Sequence, residues 1–216
     1  MRIDFVSDVA CPWCAVGLNA LERALARTDG ALGEVELNMQ PFELNPTMPP
    51  EGANAAQYLK SKYGLSDEQL AANRARIVER GAAEGFAFGV REHVWNTFDA
   101  HRLLHWALVE GAAGSQRALK HALLHAYHGQ GRNPGAHDVL LELATQVGLP
   151  VGRAREVLAS GAFANEVREA ERFWQDGGIR SVPAVVIDRR HLISGGQPAE
   201  VFEQALRQIA AESAAS

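Results

Sequence analysis

Cys11 and Cys14 are the only cysteines in the chain of 216 residues, and they stand three positions apart in Cys11-Pro12-Trp13-Cys14. Two thiols at this spacing suit one kind of chemistry. A thiolate attacks a disulfide to give a mixed disulfide, and a neighbouring thiol then resolves it. Only the thiolate is the nucleophile, so the first cysteine needs surroundings that favour negative charge. A position at the start of a helix supplies them, because the unpaired N–H groups of the first turn and the helix dipole both stabilise an anion. Pro12 fits such a turn, where its missing N–H has no partner to lose. On this reading Cys11 is the nucleophile and Cys14, one turn on and more buried, the resolving thiol. Two other readings stand beside it. The pair could be half of a zinc site, although there is no second such pair and no histidine at finger-like spacing. It could also be a structural disulfide, but closing so short a loop removes little chain entropy.

The flanking sequence supplies the elements that position such a pair. Ile3-Asp4-Phe5-Val6 alternates apolar and polar residues before the Ser7-Asp8 break, and from Cys11 to Arg27 the residues Val16, Leu18, Leu21 and Leu25 recur at helical spacing. Val35 to Gln40 alternates again and ends at the proline-rich stretch Pro41 to Pro50. These segments predict a βαβ unit. Between about Gly52 and Gly177 the strand signal nearly vanishes, and an all-helical block is expected. Ser66 with Gln69 reads as a capping box opening a helix toward Gly81, and Thr97 opens another that closes at Gly111. Further helices are expected near 115–128, 137–147, 151–160 and 162–176, the last stopped by Gly177-Gly178. Pro183 to Ile187 and His191 to Ile193 then read as strands, and Pro198 to Ala210 as an amphipathic helix. The order βαβ, helices, ββα describes an α/β chain whose sheet is assembled from both ends around a helical insertion.

Composition narrows the function classes. A hydrophobic content of 47% and a charged content of 22% are those of an ordinary globular chain. The 26 acidic residues against 21 basic ones give a net charge of −5, and the two signs are interleaved, which argues against a nucleic-acid partner. No run of about 18 apolar residues offers a membrane span. Met1 to Val6 is strand-like rather than the start of a secretory signal, so a cytoplasmic location is the expectation.

With the dithiol placed between strand and helix, the sequence resembles the thioredoxin-like superfamily, specifically the DsbA family with its helical insertion. Within that family it is most similar to FrnE-type proteins. The segments that carry the resemblance are Asp4-Phe5-Val6-Ser7-Asp8 before the dithiol, Pro41-Phe42-Glu43-Leu44-Asn45-Pro46, Asn96-Thr97 with Ala100-His101-Arg102-Leu103, and Ser194-Gly195-Gly196-Gln197-Pro198. The resemblance implies a thioredoxin fold formed by residues 1–50 and 165–216, with residues 51–164 as a large all-helical insertion domain. It implies a cis proline facing the dithiol, at Pro183, with the backbone of Val182 free to pair with an extended substrate. It implies thiol–disulfide exchange with a disulfide-containing protein or a low-molecular-weight thiol, in a monomer or homodimer. No cofactor is expected to be bound, and glutathione is a candidate redox partner. Strongly oxidising members carry histidine inside the dithiol turn. Trp13 supplies no such charge, so a couple less oxidising than the roughly −120 mV of DsbA is expected.

The resemblance also leaves alternatives. Kappa-class glutathione transferases and 2-hydroxychromene-2-carboxylate isomerases share the fold and resemble the chain at Asn96-Thr97 and Ala100-His101-Arg102, but keep a serine where this chain has a dithiol. A peptide-binding or chaperone module using the helical groove is the non-enzymatic reading. Candidate substrate contacts are Pro12, Trp13, Val182, Phe42, Asn96, Thr97, His101, Gly195 and Gln197. Plainer readings stand beside these: Thr97 as an N-cap, and Gly195 to Pro198 as a turn into the last helix rather than a seat for a carboxylate; Phe42, Trp13, Trp95 and Trp106 form either an apolar platform near the site or part of the core. Asp4 and Asp8 precede the dithiol turn, and either could accept the resolving thiol's proton through water; the plainer reading is an exposed strand-end residue or a cap. The spacings His101/His105 and His121/His125 permit a metal on one helix face, but without a HExxH-like glutamate they read as packing residues and no metal is expected.

Overall fold

The computed structural model describes residues 1–28 and 30–214. Strand β1 (Arg2–Ser7) runs parallel to β2 (Glu36–Pro41) and antiparallel to β5 (Ala184–Ile187), which pairs with β6 (His191–Ser194), giving the order β2-β1-β5-β6. Both ends of the chain therefore contribute to one sheet. The register sets Phe5 beside Met39 on one side and Val185 on the other. Side chains alternate across a strand. Ile3, Phe5, Val185 and Ile187 face a core with Leu18 and Leu21 of α1 (Pro12–Arg27) and Phe202 and Leu206 of α9 (Ala199–Ala214). Burying each of these large side chains contributes about 1.5 to 3 kcal/mol. Val6, Ala184 and Val186 face the other way, onto Phe42, Ile179 and Trp174 of α8 (Ala164–Asp176).

Because both faces are covered, Asp4 is buried although the alternation placed it at an exposed strand end; it pairs with Arg2 and accepts from Gln40. The helices α4 (Phe98–Val109), α5 (Ser115–Leu124), α6 (His137–Gln146) and α7 (Val151–Ser160) share a separate core around Leu103, Trp106, Leu123, Tyr127 and Leu140.

The capping box at Ser66 forms in both directions and opens α3 (Asp67–Ala83). Three features depart from the expected helical block. Asn54 caps an additional helix, α2 (Ala55–Tyr63), whose first turn follows a two-residue strand β3 (Ala53–Asn54). That strand pairs with β4 (His93–Val94), so the block is not wholly helical. Such a two-residue ladder is set by contact across about 40 residues and leaves no local period to read. The predicted helix to residue 128 ends at Leu124 and passes into a π-helical turn over His125–Gly129, in which the N–H of Gln130 donates to the carbonyl of His125. Turns of this kind recur at functional sites. Among the described residues, no helix is long and apolar enough to cross a membrane.

Candidate active site

Cys11 is the N-cap residue of α1 in an extended conformation, with Pro12 in the first turn. Asp8 accepts a backbone bond from Cys11 at 3.2 Å, and Cys11 accepts one from Cys14 at 3.1 Å, so a tight turn joins β1 to the helix. The two cysteines lie 3.5 Å apart. In the thiol form Cys11 Sγ donates to the carbonyl of Val182 at 3.4 Å, and the Val182–Pro183 peptide bond is cis. Pro183 is packed against the helix itself. A Cβ added to Gly17 would stand 3.0 Å from its Cγ and 3.3 Å from Gly196 Cα, so glycine at 17 allows α1, the Pro183 loop and the entry to α9 to meet.

The two thiols have opposite electrostatics. The hydrogen bond from Cys14, with the N–H groups of Cys14 and Trp13, holds the Cys11 thiol below its ordinary range, against burial and the negative charge of Asp8. Burial drives Cys14 well above its ordinary range, and its bond to Cys11 adds to this. Lys120 of α5 opposes that rise. Its ammonium nitrogen is fully buried without a hydrogen-bond partner; burial lowers its pKa, while the negative charges of Cys14, Asp8 and Cys11 act in the other direction.

Asp8 is the buried polar centre of the site rather than a strand-end residue. Its Oδ1 accepts from Ala10 N at 3.0 Å, Thr97 Oγ1 at 2.8 Å and His101 Nε2 at 3.4 Å, and its Oδ2 accepts from Leu44 N at 2.7 Å. Burial alone would raise the carboxylate's pKa, but His101 foremost, then the N–H groups of Ala10 and Leu44, bring it below its ordinary value. His128 lies on the other side of the Cys11 turn, carried there by the π-helical turn, and its Nε2 meets the carbonyl of Val9 at 2.8 Å. Arg91 donates to the next carbonyl, Ala10, at 3.1 Å.

The His128 ring is neutral, its pKa pushed down to about 3 by burial first and by Arg91 and Lys120, against Asp8 and the bond to Val9. A group depressed below the unfolded value of about 6.5 makes its full contribution above that pH. As pH falls from about 6.5 toward 3, the unfolded chain gains a proton that the folded chain does not, and stability falls by up to roughly 1.4 kcal/mol per unit. Urea unfolding at a series of pH values should show this slope, and His128→Gln should flatten it. An unchanged slope in the variant would assign the acid sensitivity to other groups.

Cys11 opens onto a groove of about 750 Å³ between the dithiol turn and the outer helices α2 and α3. Pro12, Trp13 and Val182 line it, with an apolar wall that includes Tyr58, Leu59, Ile77 and Phe88. The other expected substrate contacts do not line it. Phe42 packs into the core on the far face of the sheet. Asn96, not Thr97, caps α4 with its side chain: its Oδ1 accepts from Phe98 N at 2.8 Å and its Nδ2 donates to Met48 O at 3.2 Å. Thr97 and His101 are buried and turned toward Asp8. Gly195 donates to the carbonyl of Pro183 at 2.8 Å, and Gln197 folds back on Ser194 at 2.8 Å, so both brace the turn behind the dithiol. Of the expected aromatic platform, Trp95 stacks on His93 and Trp106 is buried in the helical core, leaving Trp13 at the groove. His121 pairs with Glu22, and His105 packs against Phe163. Among the described residues, no group of three or more His, Cys, Asp or Glu is placed to hold a metal ion.

Sequence reasoning missed Lys120, His128, Arg91 and the α2–α3 wall, and left Asp8 between a proton acceptor and a strand-end residue or cap. Only for Asp8 was there a local signal, its place three residues before Cys11.

A sheet of this order with a dithiol at the N-terminus of its first helix, facing a proline loop before β5, defines a thioredoxin-fold protein with a helical insertion. Residues 2–207 match the DSBA-like thioredoxin domain, and the chain belongs to that family. The crystal structure of a "probable DsbA oxidoreductase" of Streptomyces coelicolor is 40% identical with a TM-score of 0.87, covering 96% of this chain and 89% of that one. The fold is also that of 2-hydroxychromene-2-carboxylate isomerase, with 16% identity, a TM-score of 0.74, and coverage of 99% of this chain and 98% of that one. It is likewise that of the cytosolic disulfide reductase DsbM of Pseudomonas aeruginosa, solved with glutathione, with 18% identity, a TM-score of 0.65, and coverage of 96% and 98%.

Proposed function

We propose that the protein is a thiol–disulfide oxidoreductase working by dithiol exchange at Cys11 and Cys14. The observation that carries this reading is the setting of Cys11, a thiol at a helix N-terminus, held below its ordinary pKa and open to a groove, with a second thiol 3.5 Å away. In the reductive direction the Cys11 thiolate attacks one sulfur of a substrate disulfide. The substrate S–S bond breaks, a Cys11 mixed disulfide forms, and the first thiol leaves with a proton. Cys14 then loses its proton and attacks Cys11 Sγ, closing the Cys11–Cys14 disulfide and releasing the second thiol. Lys120 lowers the cost of negative charge on Cys14 during that step. Val182 and Pro183 position the substrate beside Cys11. The two electrons reside in the dithiol, so no bound cofactor is needed, and glutathione serves as redox partner in a cytoplasmic setting.

The test is an equilibrium titration of the protein against graded glutathione ratios, with the disulfide read by thiol alkylation and mass. A reversible two-electron transition is expected, with a midpoint more negative than about −120 mV because Trp13 brings no charge into the turn. A midpoint near −120 mV would refute the argument from Trp13. If no reversible disulfide forms, the dithiol reading fails, and the glutathione-dependent isomerase or transferase reading, which needs no second thiol, takes its place.

A further inference from the structure

The groove beside Cys11 carries charge of one sign. Arg74 and Arg76 of α3, Arg91 and Arg180 all line it, and among the described residues no aspartate or glutamate does. This occurs in a chain whose net charge is −5. Elsewhere the arginines Arg23, Arg153 and Arg168 are neutralised by glutamates. In the groove the guanidinium groups rest on neutral acceptors instead. Arg74 donates to Gly89 O at 3.1 Å, Arg76 to Asn73 Oδ1 at 3.1 Å, Arg91 to Ala10 O at 3.1 Å, and Arg180 to Gln175 O. Arg76 also lies over the Trp13 ring at 5.8 Å, next to the dithiol. A guanidinium has five N–H donors, so these bonds leave others for an incoming anion. The apolar side chains of Tyr58, Leu59, Ile77 and Phe88 line the same groove. The volume of about 750 Å³ falls within the range of roughly 300 to 1,000 Å³ usual for sites that enclose small molecules.

We infer that this groove selects low-molecular-weight disulfides and thiols that carry negative charge on an apolar, ring-sized body. The inference rests on the proposed dithiol exchange and names its substrate class. The apolar body sits against the α2–α3 wall, the anionic group meets the arginines, and the sulfur reaches Cys11. Attack by the Cys11 thiolate breaks the substrate S–S bond and releases one anionic thiol. Attack by Cys14 on the mixed disulfide releases the second, two electrons passing from dithiol to substrate. A cleft lined by one sign of charge raises the association rate of the opposite charge by about ten- to a thousandfold at low salt.

The experiment compares two aromatic disulfides as oxidants of the reduced protein: 5,5′-dithiobis(2-nitrobenzoic acid), which is dianionic, and 4,4′-dithiodipyridine, which is neutral. Each second-order rate constant is divided by that of the same reagent with 2-mercaptoethanol, which removes intrinsic reactivity. The normalised anionic-to-neutral ratio should be about ten or more at low ionic strength and fall as salt is added. Arg74 and Arg76 are exposed on α3, so the double variant Arg74→Gln, Arg76→Gln should fold, and should lower the ratio by about tenfold. The pair Arg155→Gln, Arg172→Gln, outside the groove, should leave it near the parent value. Because both reagents meet the same thiolate, a change in Cys11 acidity cancels in the ratio. A ratio near one, or one that the Arg74/Arg76 substitutions do not move, would overturn the inference while leaving dithiol exchange standing. A higher normalised rate with a blocked acidic peptide disulfide than with the dianionic aromatic reagent would also overturn it, in favour of an extended chain as occupant. Failure of both aromatic reagents to oxidise Cys11 and Cys14 would instead remove the exchange reading itself.

Discussion

Cys11→Ser is expected to lose disulfide exchange by roughly a thousandfold or more, while Cys14→Ser accumulates a mixed disulfide at Cys11 instead of turning over. The asymmetry follows from the opposite environments of the two thiols. Cys11 is held below its ordinary pKa by Cys14 and by the first-turn N–H groups, so it ionises more readily than an ordinary cysteine, and a serine hydroxyl at the same place is a far weaker acid. Cys14 is fully buried and its pKa is driven well above the ordinary range, so it does not compete for the first attack. In the proposed exchange its role begins once Cys11 has become the sulfur under attack. Mass analysis of each variant after incubation with a disulfide substrate separates the outcomes: an adduct on Cys14→Ser and none on Cys11→Ser. An adduct on Cys11→Ser, carried by Cys14, would invert the assignment of nucleophile and resolving thiol.

Asp8→Ala should destabilise the fold by about 3 to 5 kcal/mol, the usual cost of removing one member of a buried charged network, and lower Tm by roughly 6 to 20 °C for a chain of this size. Four donors converge on this carboxylate from three parts of the chain: Ala10 in the dithiol turn, Leu44 after β2, and Thr97 and His101 at the start of α4. Alanine leaves all four without their acceptor. Asp8→Asn keeps an acceptor at the Oδ1 position but presents an NH₂ group to the Leu44 N–H, so an intermediate loss is expected. The carboxylate's folded-state pKa lies below its ordinary value, and its contribution is therefore present above the unfolded value of about 3.9 and lost as pH falls through the folded one. The acid limb of the stability curve below about pH 4 should accordingly flatten in Asp8→Ala, in a range that overlaps only the low end of the window assigned to His128. The same charge raises the Cys11 thiol, so Asp8→Asn should shift its thiolate absorbance titration to lower pH. A loss below about 1 kcal/mol together with an unmoved Cys11 titration would reduce Asp8 to a dispensable buried acid.

The sequence by itself determined the βαβ start, the dithiol at the head of α1, the assembly of one sheet from both chain ends, and the capping box at Ser66. The elements are written locally, in a side-chain period, a cap or a spacing of a few residues, and the shared sheet follows from their order along the chain. The environment of the dithiol is not. Asp8 sits beside Thr97 and His101 at sequence separations of 89 and 93, and Val182 lies 171 residues from Cys11. Gly195 and Gln197, which as a motif resemble a ligand seat, are used up by bonds to Pro183 and Ser194. The groove likewise required tertiary structure, because its arginines come from α3, the loop before β4 and the loop before β5, and read along the chain each is an ordinary surface charge. Whether a charged side chain pairs internally, is buried, or faces a cavity depends on which segments the fold brings against it, and so on long-range packing that no local pattern encodes.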